Sequence, residues 1–256
     1  MLINKRVRFA VKLAGCHLGA NILVAALIAG VIFGIWYPYP YQQMLGGLEL
    51  FFLVVSIDVI CGPILTAILA NPEKSARAVA VDIGLVVLIQ VSALCYGLHT
   101  VAIARPVAVM FEVDRFTVVR ATDIHQASLE KAAAPFNRLS WMGIERVAIR
   151  SARNGDESNK DLSFGLNGIE PSARPDRWEA DNEKARAAVR QRMQPLLRLQ
   201  QHYPHNAELE DAVQKSGLPA NKLYYLPFTS VENKGWTVLL DEQANFKGFV
   251  PLDAFF

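Results

Sequence analysis

Two aspartates, Asp58 and Asp82, lie inside long apolar stretches of the sequence. An ionisable side chain within a membrane-spanning helix is costly and marks a functional position by default. Two carboxyls that share a proton could act as an acid–base pair, but they must approach within a few ångströms. At about 1.5 Å per residue, counted from the ends of their segments, Asp58 lies about 18 Å deep and Asp82 about 5 Å. The sequence therefore argues against a catalytic pair.

Polar residues on the neighbouring segments suggest partners for both aspartates. Gln90 lies about 17 Å deep by the same count, so a hydrogen bond between Gln90 and Asp58 is expected. Asn21 lies at a depth similar to that of Asp82, which predicts a second polar pair. One interpretation is that these bonds hold the helices together; the alternative is that Asp58 belongs to a surface that binds another membrane helix.

Small residues recur at every fourth position on two of the segments, which allows helix backbones to approach closely. The first stripe consists of Ala26, Gly30 and Gly34. The second stripe consists of Asp58, Gly62 and Thr66. Contact between helices of this protein is the expected use of both stripes, and contact with a partner helix is the alternative.

Three stretches are long and apolar enough to cross a membrane, since a spanning helix needs about 20 mostly apolar residues. They lie near residues 18–36, 50–70 and 79–102. The sequence therefore predicts a membrane domain over residues 1–105 and a polar domain over residues 106–256. The segment that leaves the first helix carries Trp36, Tyr37, Tyr39 and Tyr41, and such aromatic residues are typical of a membrane interface.

Lysine and arginine indicate how these helices are oriented, because short cytoplasmic loops are enriched in both residues. Four basic residues precede the first segment, and Lys74 and Arg77 lie between the second and the third. The connection between the first two segments has none. We therefore expect a multi-pass protein of the bacterial inner membrane with a cytoplasmic N-terminus. Because the number of spans is odd, the polar domain is expected in the periplasm.

The composition limits what the protein can bind. A net charge of +2 is too balanced for a nucleic-acid partner, which would require a basic face.

The three cysteines, Cys16, Cys61 and Cys95, all lie in or beside the apolar segments, so the polar domain has no disulfide. Its stability must come from an ordinary packed core.

The polar domain is predicted to be α+β with an antiparallel sheet. Strands are expected at residues 107–119 (two strands around a tight turn), 146–150, 222–228, 236–240 and 246–251. Helices are expected at residues 123–133, 179–201 and 207–215, with Pro195 interrupting the second of them. Residues 154–160 read as a polar loop.

Nothing in the polar domain predicts catalysis. His202 and His205 lack further metal ligands, and Gly165-Leu166-Asn167-Gly168 is too short for a phosphate-binding loop. We expect no enzymatic activity, no cofactor and no bound metal.

Several motifs occur in a recognisable order. The first helix closes with Trp36-Tyr37-Pro38, the second contains Ile57-Asp58-Val59-Ile60-Cys61-Gly62-Pro63, and the third contains Asp82-Ile83 and Leu88-Ile89-Gln90. The exit reads Ala104-Arg105-Pro106-Val107 and leads to Phe111-Glu112-Val113-Asp114-Arg115-Phe116. Taken together, this order resembles the bacterial type IV pilin accessory proteins of the TfpX/TfpZ kind. The motifs span residues 36–119, and the arrangement of three helices before one domain extends the likeness over the whole chain.

The resemblance implies a role beside a particular major pilin in the inner membrane, where such proteins support pilin stability or its entry into the pilus. The helices, with Asp58 and its stripe, would hold the apolar pilin helix, and the polar domain would contact the pilin head. The alternative is a membrane-anchored envelope sensor or an assembly factor for another system, and a membrane enzyme is a further option. The sequence leaves the oligomeric state open.

Overall fold

The computed structural model describes residues 2–256 and divides into two compact units, which meet between Ala104 and Arg105. The first unit contains α1 (Leu2–Val31), which continues as a π-helical turn (Ile32–Trp36), α2 (Tyr41–Met44), α3 (Gly47–Leu69) and α4 (Ala76–Ile103). Three of these segments are long and apolar enough to cross a membrane: Lys5–Trp36, Gly47–Leu69 and Ala76–Ile103.

The first helix is longer than the apolar pattern predicts, because it begins at Leu2 and not near residue 18. Its first turns hold the basic cluster of Lys5, Arg6, Arg8 and Lys12. Lysine and arginine are good helix formers, so the helix continues through this charged stretch beyond the apolar part.

The connection between α1 and α3 folds back onto the ends of the helices. Tyr37 and Tyr41 are buried there, and the Tyr37 hydroxyl donates a hydrogen bond to the Val101 carbonyl of α4 at 3.1 Å. A Cβ on Gly47 would lie 2.7 Å from the Tyr37 ring, so only glycine allows this approach. Of the four aromatic residues expected at the membrane interface, Tyr37 and Tyr41 thus lie inside the protein and only Tyr39 is clearly exposed.

The second unit is built on one eight-stranded sheet. Its strands are β1 (Pro106–Glu112), β2 (Arg115–Arg120), β3 (Glu145–Ile149), β4 (Trp178–Ala180), β5 (Gln194–Pro195), β6 (Tyr224–Thr229), β7 (Trp236–Leu240) and β8 (Phe246–Val250). Their order is β4-β3-β1-β2-β6-β7-β8, and β5 pairs with the remaining part of β6.

The sheet is mixed, so the prediction of an antiparallel sheet is wrong in part. β1 pairs with β3 in parallel, and β2 pairs with β6 in parallel through Phe116–Phe228 and Thr117–Thr229. The other pairings are antiparallel. Parallel neighbours need long crossovers, and the segments that connect these strands are long and contain helices.

The helices of this unit are α5 (Gln126–Leu129), α6 (Gly155–Leu166), α7 (Glu183–Arg192), α8 (Leu196–His202) and α9 (Ala207–Ser216). The longest three begin in the same way: Asn154, Asn182 and Asn206 each accept a hydrogen bond from the backbone N–H three residues later. An asparagine in this position satisfies one of the free N–H groups of the first turn.

Two of these helices differ from the sequence prediction. The polar stretch 154–160, expected as a loop, forms the start of α6, because its asparagine cap and two acidic residues favour a helix start more than its low hydrophobicity suggests. The helix expected over residues 179–201 begins only at Glu183, because residues 178–180 form β4, and it is split into α7 and α8, as expected from Pro195. Pro195 lies in β5 between them and pairs with Tyr224.

The core forms two clusters of apolar side chains. One lies between α8, α9 and strands β6–β8 and includes Leu199, Leu209 and Leu239. The other lies around β1–β4 and includes Met110, Val147 and Trp178. These clusters supply the packed core that a domain without disulfides requires.

An ion-pair cluster links α6 to the chain before β4. The Asp161 carboxylate accepts hydrogen bonds from Arg174, at 2.6 Å, and from Arg177. Both arginine side chains are only 4% exposed. Burial raises the pKa of Asp161, but hydrogen bonds from Arg177 and Arg174 outweigh burial and hold it below its ordinary value. Removing this carboxylate would leave two buried guanidinium groups short of a counter-charge.

We therefore predict that Asp161→Asn destabilises the second unit by about 3 kcal/mol, the cost of breaking a buried ion pair. The measurement is guanidinium unfolding of the full chain in detergent, followed by Trp178 fluorescence, because Trp178 lies next to Arg177. The matched control is Glu183→Gln, which removes the exposed partner of Arg190 and should cost less than about 1 kcal/mol.

Acidification provides a second readout of the same cluster. Because the pKa of Asp161 is lowered on folding, its contribution is present above the ordinary value of 3.8 and is lost as the pH falls through the folded value. The stability gap between the wild type and Asp161→Asn should therefore narrow below pH 3.8. A gap that stays constant with pH would contradict this account.

Candidate functional site

Three of the predicted polar residues meet in the middle of the helix bundle. The backbone carbonyl of Asp58 on α3 accepts hydrogen bonds from Asn21 Nδ2 on α1, at 2.7 Å, and from Gln90 Nε2 on α4, at 2.8 Å. Asp58 itself is 8% exposed. Inside a membrane, where no water is available, amide groups need such partners within the protein. One carbonyl oxygen therefore ties all three helices together.

In the structure, the polar residues of the helices have different partners from those that the sequence predicted. Gln90 and Asp58 are level, but Gln90 reaches the backbone oxygen of Asp58. The expected pairing of Asn21 with Asp82 is wrong, because Asn21 also bonds to Asp58, and Asp82 accepts from Lys74 at 2.6 Å. The depth of Asn21 was misjudged because α1 extends well beyond its apolar part.

A histidine that the sequence analysis did not select completes this contact. His17 Nδ1 and Thr66 Oγ1 form a hydrogen bond of 2.6 Å between α1 and α3. His17 lies four residues before Asn21, so both side chains project from the same face of α1. That spacing was the signal in the sequence that could have identified His17.

The stripe on α3 is therefore used within the protein. Asp58, Gly62 and Thr66 are all buried, and a Cβ on Gly62 would lie 2.6 Å from Cδ of Gln90. Gly97 on α4 has the same role, because a Cβ there would lie 2.7 Å from a methyl group of Val54. These contacts match the use of small residues in packed membrane helices.

The stripe on α1 has a different environment. Ala26, Gly30 and Gly34 are exposed, and a Cβ built on Gly30 or Gly34 would meet no described atom within 4 Å other than nearby parts of its own helix. The expectation that both stripes pack inside the protein thus holds only for α3.

A groove of about 230 Å³ runs beside the polar cluster, between α1, α3 and α4. Apolar side chains such as Val24, Val87 and Leu94 line most of it, and Asn21, Asp58, Gln90 and His17 provide its polar part. Gln90 Oε1 is buried and, among the described residues, has no hydrogen-bond partner. A buried acceptor without a donor is costly, so this oxygen is suited to receive a donor from a group that enters the groove.

The second unit contains a larger, polar cavity of about 750 Å³ between α5, α6 and the chain near Arg174. Basic residues (Lys131, Arg153, Lys160, Arg174) and acidic residues (Asp156, Glu157, Asp176) both line it. Arg150 and the Arg153 N–H lower the pKa of Glu157 to about 2. Within this lining Arg174 pairs with Asp176, and Glu157 pairs with Arg150. The mixture of charges does not single out one class of small ligand.

No metal centre emerges from the part of the chain that the structure describes, since no three His, Cys, Asp or Glu side chains in residues 2–256 are arranged to hold an ion. Asp82 is paired with Lys74, whereas Asp58 takes part in the bundle through its backbone carbonyl, which accepts hydrogen bonds from Asn21 and Gln90.

Comparison with known proteins finds a family model and several relatives that are all described as fimbrial assembly proteins. Residues 5–46 match the family model described as fimbrial assembly protein FimB. The chain is 37% identical over 255 residues to a fimbrial assembly protein of serogroup I from Dichelobacter nodosus, and the alignment covers 98% of both chains.

Two further relatives come from the same organism. The serogroup E1 fimbrial assembly protein is 35% identical over 98% of both chains. The protein of serogroups C1 and C2 is 46% identical over 129 residues, which cover 50% of this chain and 98% of that protein. No solved structure matches the chain.

We predict that Gly62→Ala lowers the stability of the helix bundle by about 1 kcal/mol, because the added methyl group displaces the Gln90 amide from the Asp58 carbonyl. The measurement is the thermal unfolding midpoint of the purified chain in detergent. Gly84→Ala on α4 is the matched control, since nothing lies within 4 Å of its Cβ position and alanine favours the helix. Equal midpoints for both variants would contradict the prediction.

Proposed function

Because the chain belongs to the fimbrial assembly proteins, a family of type IV pilus accessory proteins, we propose that it stabilises a cognate major pilin or promotes its entry into the pilus. The whole-length similarity to two fimbrial assembly proteins carries this proposal. The relatives' names describe assembly, and the action on a pilin is our inference.

The proposed location is the inner membrane. Three apolar helices are long enough to cross it, and the distribution of lysine and arginine favours a cytoplasmic N-terminus and a periplasmic second unit. A pilin subunit before assembly presents an apolar helix in the membrane and a globular head outside it. A protein with a helix bundle and an external domain can contact both parts at once.

We place the pilin helix at the groove beside Asp58. Most of its lining is apolar, as a membrane helix requires, and Gln90 Oε1 is the buried acceptor that a donor on the pilin helix can satisfy. The α3 stripe itself is already occupied by α1 and α4. The proposed role is binding: the Asp58 carbonyl joins the three helices, and Asp82 is paired with Lys74.

Deletion of the gene tests the role. We expect fewer pili sheared from the cell surface, restored by the gene in trans. If total pilin also falls, the protein protects pilin from degradation; if total pilin is unchanged, it acts in assembly. Unchanged surface pili and unchanged total pilin would reject the proposed function.

The location of the contact is tested separately with tagged variants and pilin co-purification from membranes. Gln90→Leu should reduce the pilin recovered by about tenfold, since a lost interhelical hydrogen bond and a blocked groove together cost about 1–2 kcal/mol. Ser92→Ala is the matched control, because Ser92 is exposed on the same helix and its hydroxyl donates to the Leu88 carbonyl one turn earlier on that helix. The bundle stability of each variant is measured alongside.

Gly30→Leu tests whether the pilin helix instead binds the exposed stripe of α1. If this variant and not Gln90→Leu reduces pilin recovery at normal protein abundance, the pilin helix packs on the exposed stripe of α1, and the assignment to the groove is wrong.

A further inference from the structure

A loop of the second unit is tied to the residue that follows the last membrane helix. Arg105 Nε donates a hydrogen bond to the Ser140 carbonyl at 3.0 Å. The guanidinium carbon of Arg105 lies 3.7 Å from the centre of the Trp141 ring, a stacked cation–π contact. Arg105 itself is only 4% exposed. One face of the Trp141 indole is therefore fixed against the Arg105 guanidinium group.

The outer face of this loop is apolar. Trp141 is 56% exposed and Met142 is 80% exposed, although both are large apolar side chains. Arg138, three residues earlier, is also exposed. Tryptophan beside a cation is the combination that prefers the boundary between lipid headgroups and acyl chains. Adjacent exposed apolar residues in a polar domain call for a surface that covers them.

Chain connectivity gives the position of this loop. Arg105 is two residues after Ile103, the last residue of α4, and consecutive Cα atoms are about 3.8 Å apart. The Trp141 ring, which stacks on the Arg105 side chain at 3.7 Å, therefore lies within about 17 Å of the end of α4, given two Cα steps and the length of an arginine side chain. The end of a spanning helix marks the membrane boundary, and the headgroup region extends roughly 5–8 Å beyond it.

We propose that residues 138–142 form an interfacial anchor, in which Trp141 and Met142 insert into the phospholipid headgroup region and Arg138 contacts lipid phosphates. The inference rests on the proposed membrane placement of the helices. We choose the lipid surface as the partner of this loop because α4 leaves the membrane two residues before Arg105, on which the loop packs. Anchoring would hold this loop of the second unit at the membrane surface.

The test uses the full-length protein in phosphatidylcholine–phosphatidylglycerol vesicles that carry bromine high on the acyl chains, a short-range quencher of tryptophan. Subtracting the emission of Trp141→Phe isolates the Trp141 signal. We expect brominated lipid to reduce this signal by about twofold or more, and aqueous iodide to have little effect, as for an indole at the interface. The matched control is Trp178→Phe, because Trp178 is 8% exposed in the core and its signal should respond to neither quencher.

Trp36 at the end of the first spanning segment reports membrane insertion independently, through Trp36→Phe. If lipid quenches Trp36 but iodide alone quenches Trp141, the loop lies in water and the anchor is rejected. If neither quencher reaches Trp141, protein covers it, and the anchor is again rejected. If lipid fails to quench Trp36, the membrane placement itself is wrong, and the proposed function loses its location.

Discussion

The helix bundle depends on one acceptor, the backbone carbonyl oxygen of Asp58. Two amide side chains from different helices bond to it, and in an apolar surrounding neither Asn21 nor Gln90 has water as a substitute. These bonds fix the axial position of α1 and α4 relative to α3 at the same level. The bond of His17 to Thr66 and the close approach at Gly62 both depend on that register. The groove beside the cluster exists because the register keeps its walls in place.

The two units obtain their stability from different sources. In a membrane, apolar burial does not hold helices together, because lipid tails are as apolar as the side chains. The contacts of this bundle are instead hydrogen bonds and close approaches at small residues, as packing in lipid requires. The second unit relies on clusters of buried apolar side chains and on the ion pairs of Asp161. The polar residues of the bundle therefore have a structural role that similar residues on a water-exposed surface would not have.

Sequence reasoning succeeded where one physical rule dominates. Hydrophobic length identified three candidate spans, and counting residues placed Gln90 level with Asp58. It failed where a feature depends on distant parts of the chain. The partner of Asn21 could not be found because α1 extends past its apolar part, and the parallel pairing of β2 with β6 has no local signature. The start of α6 was missed because an asparagine cap in a polar stretch resembles a loop.

The parallel pairing of β2 and β6 has a consequence for biosynthesis. Thr229 and Phe116 are bonded across this pair but lie 113 residues apart in the sequence. At about 5–20 residues per second, the ribosome delivers β6 on the order of ten seconds after β2. During that interval the edge of β2 that faces away from β1 has no partner strand, and such an edge can pair with a neighbouring chain. The nascent chain is thus vulnerable to misassociation until its last third has been made.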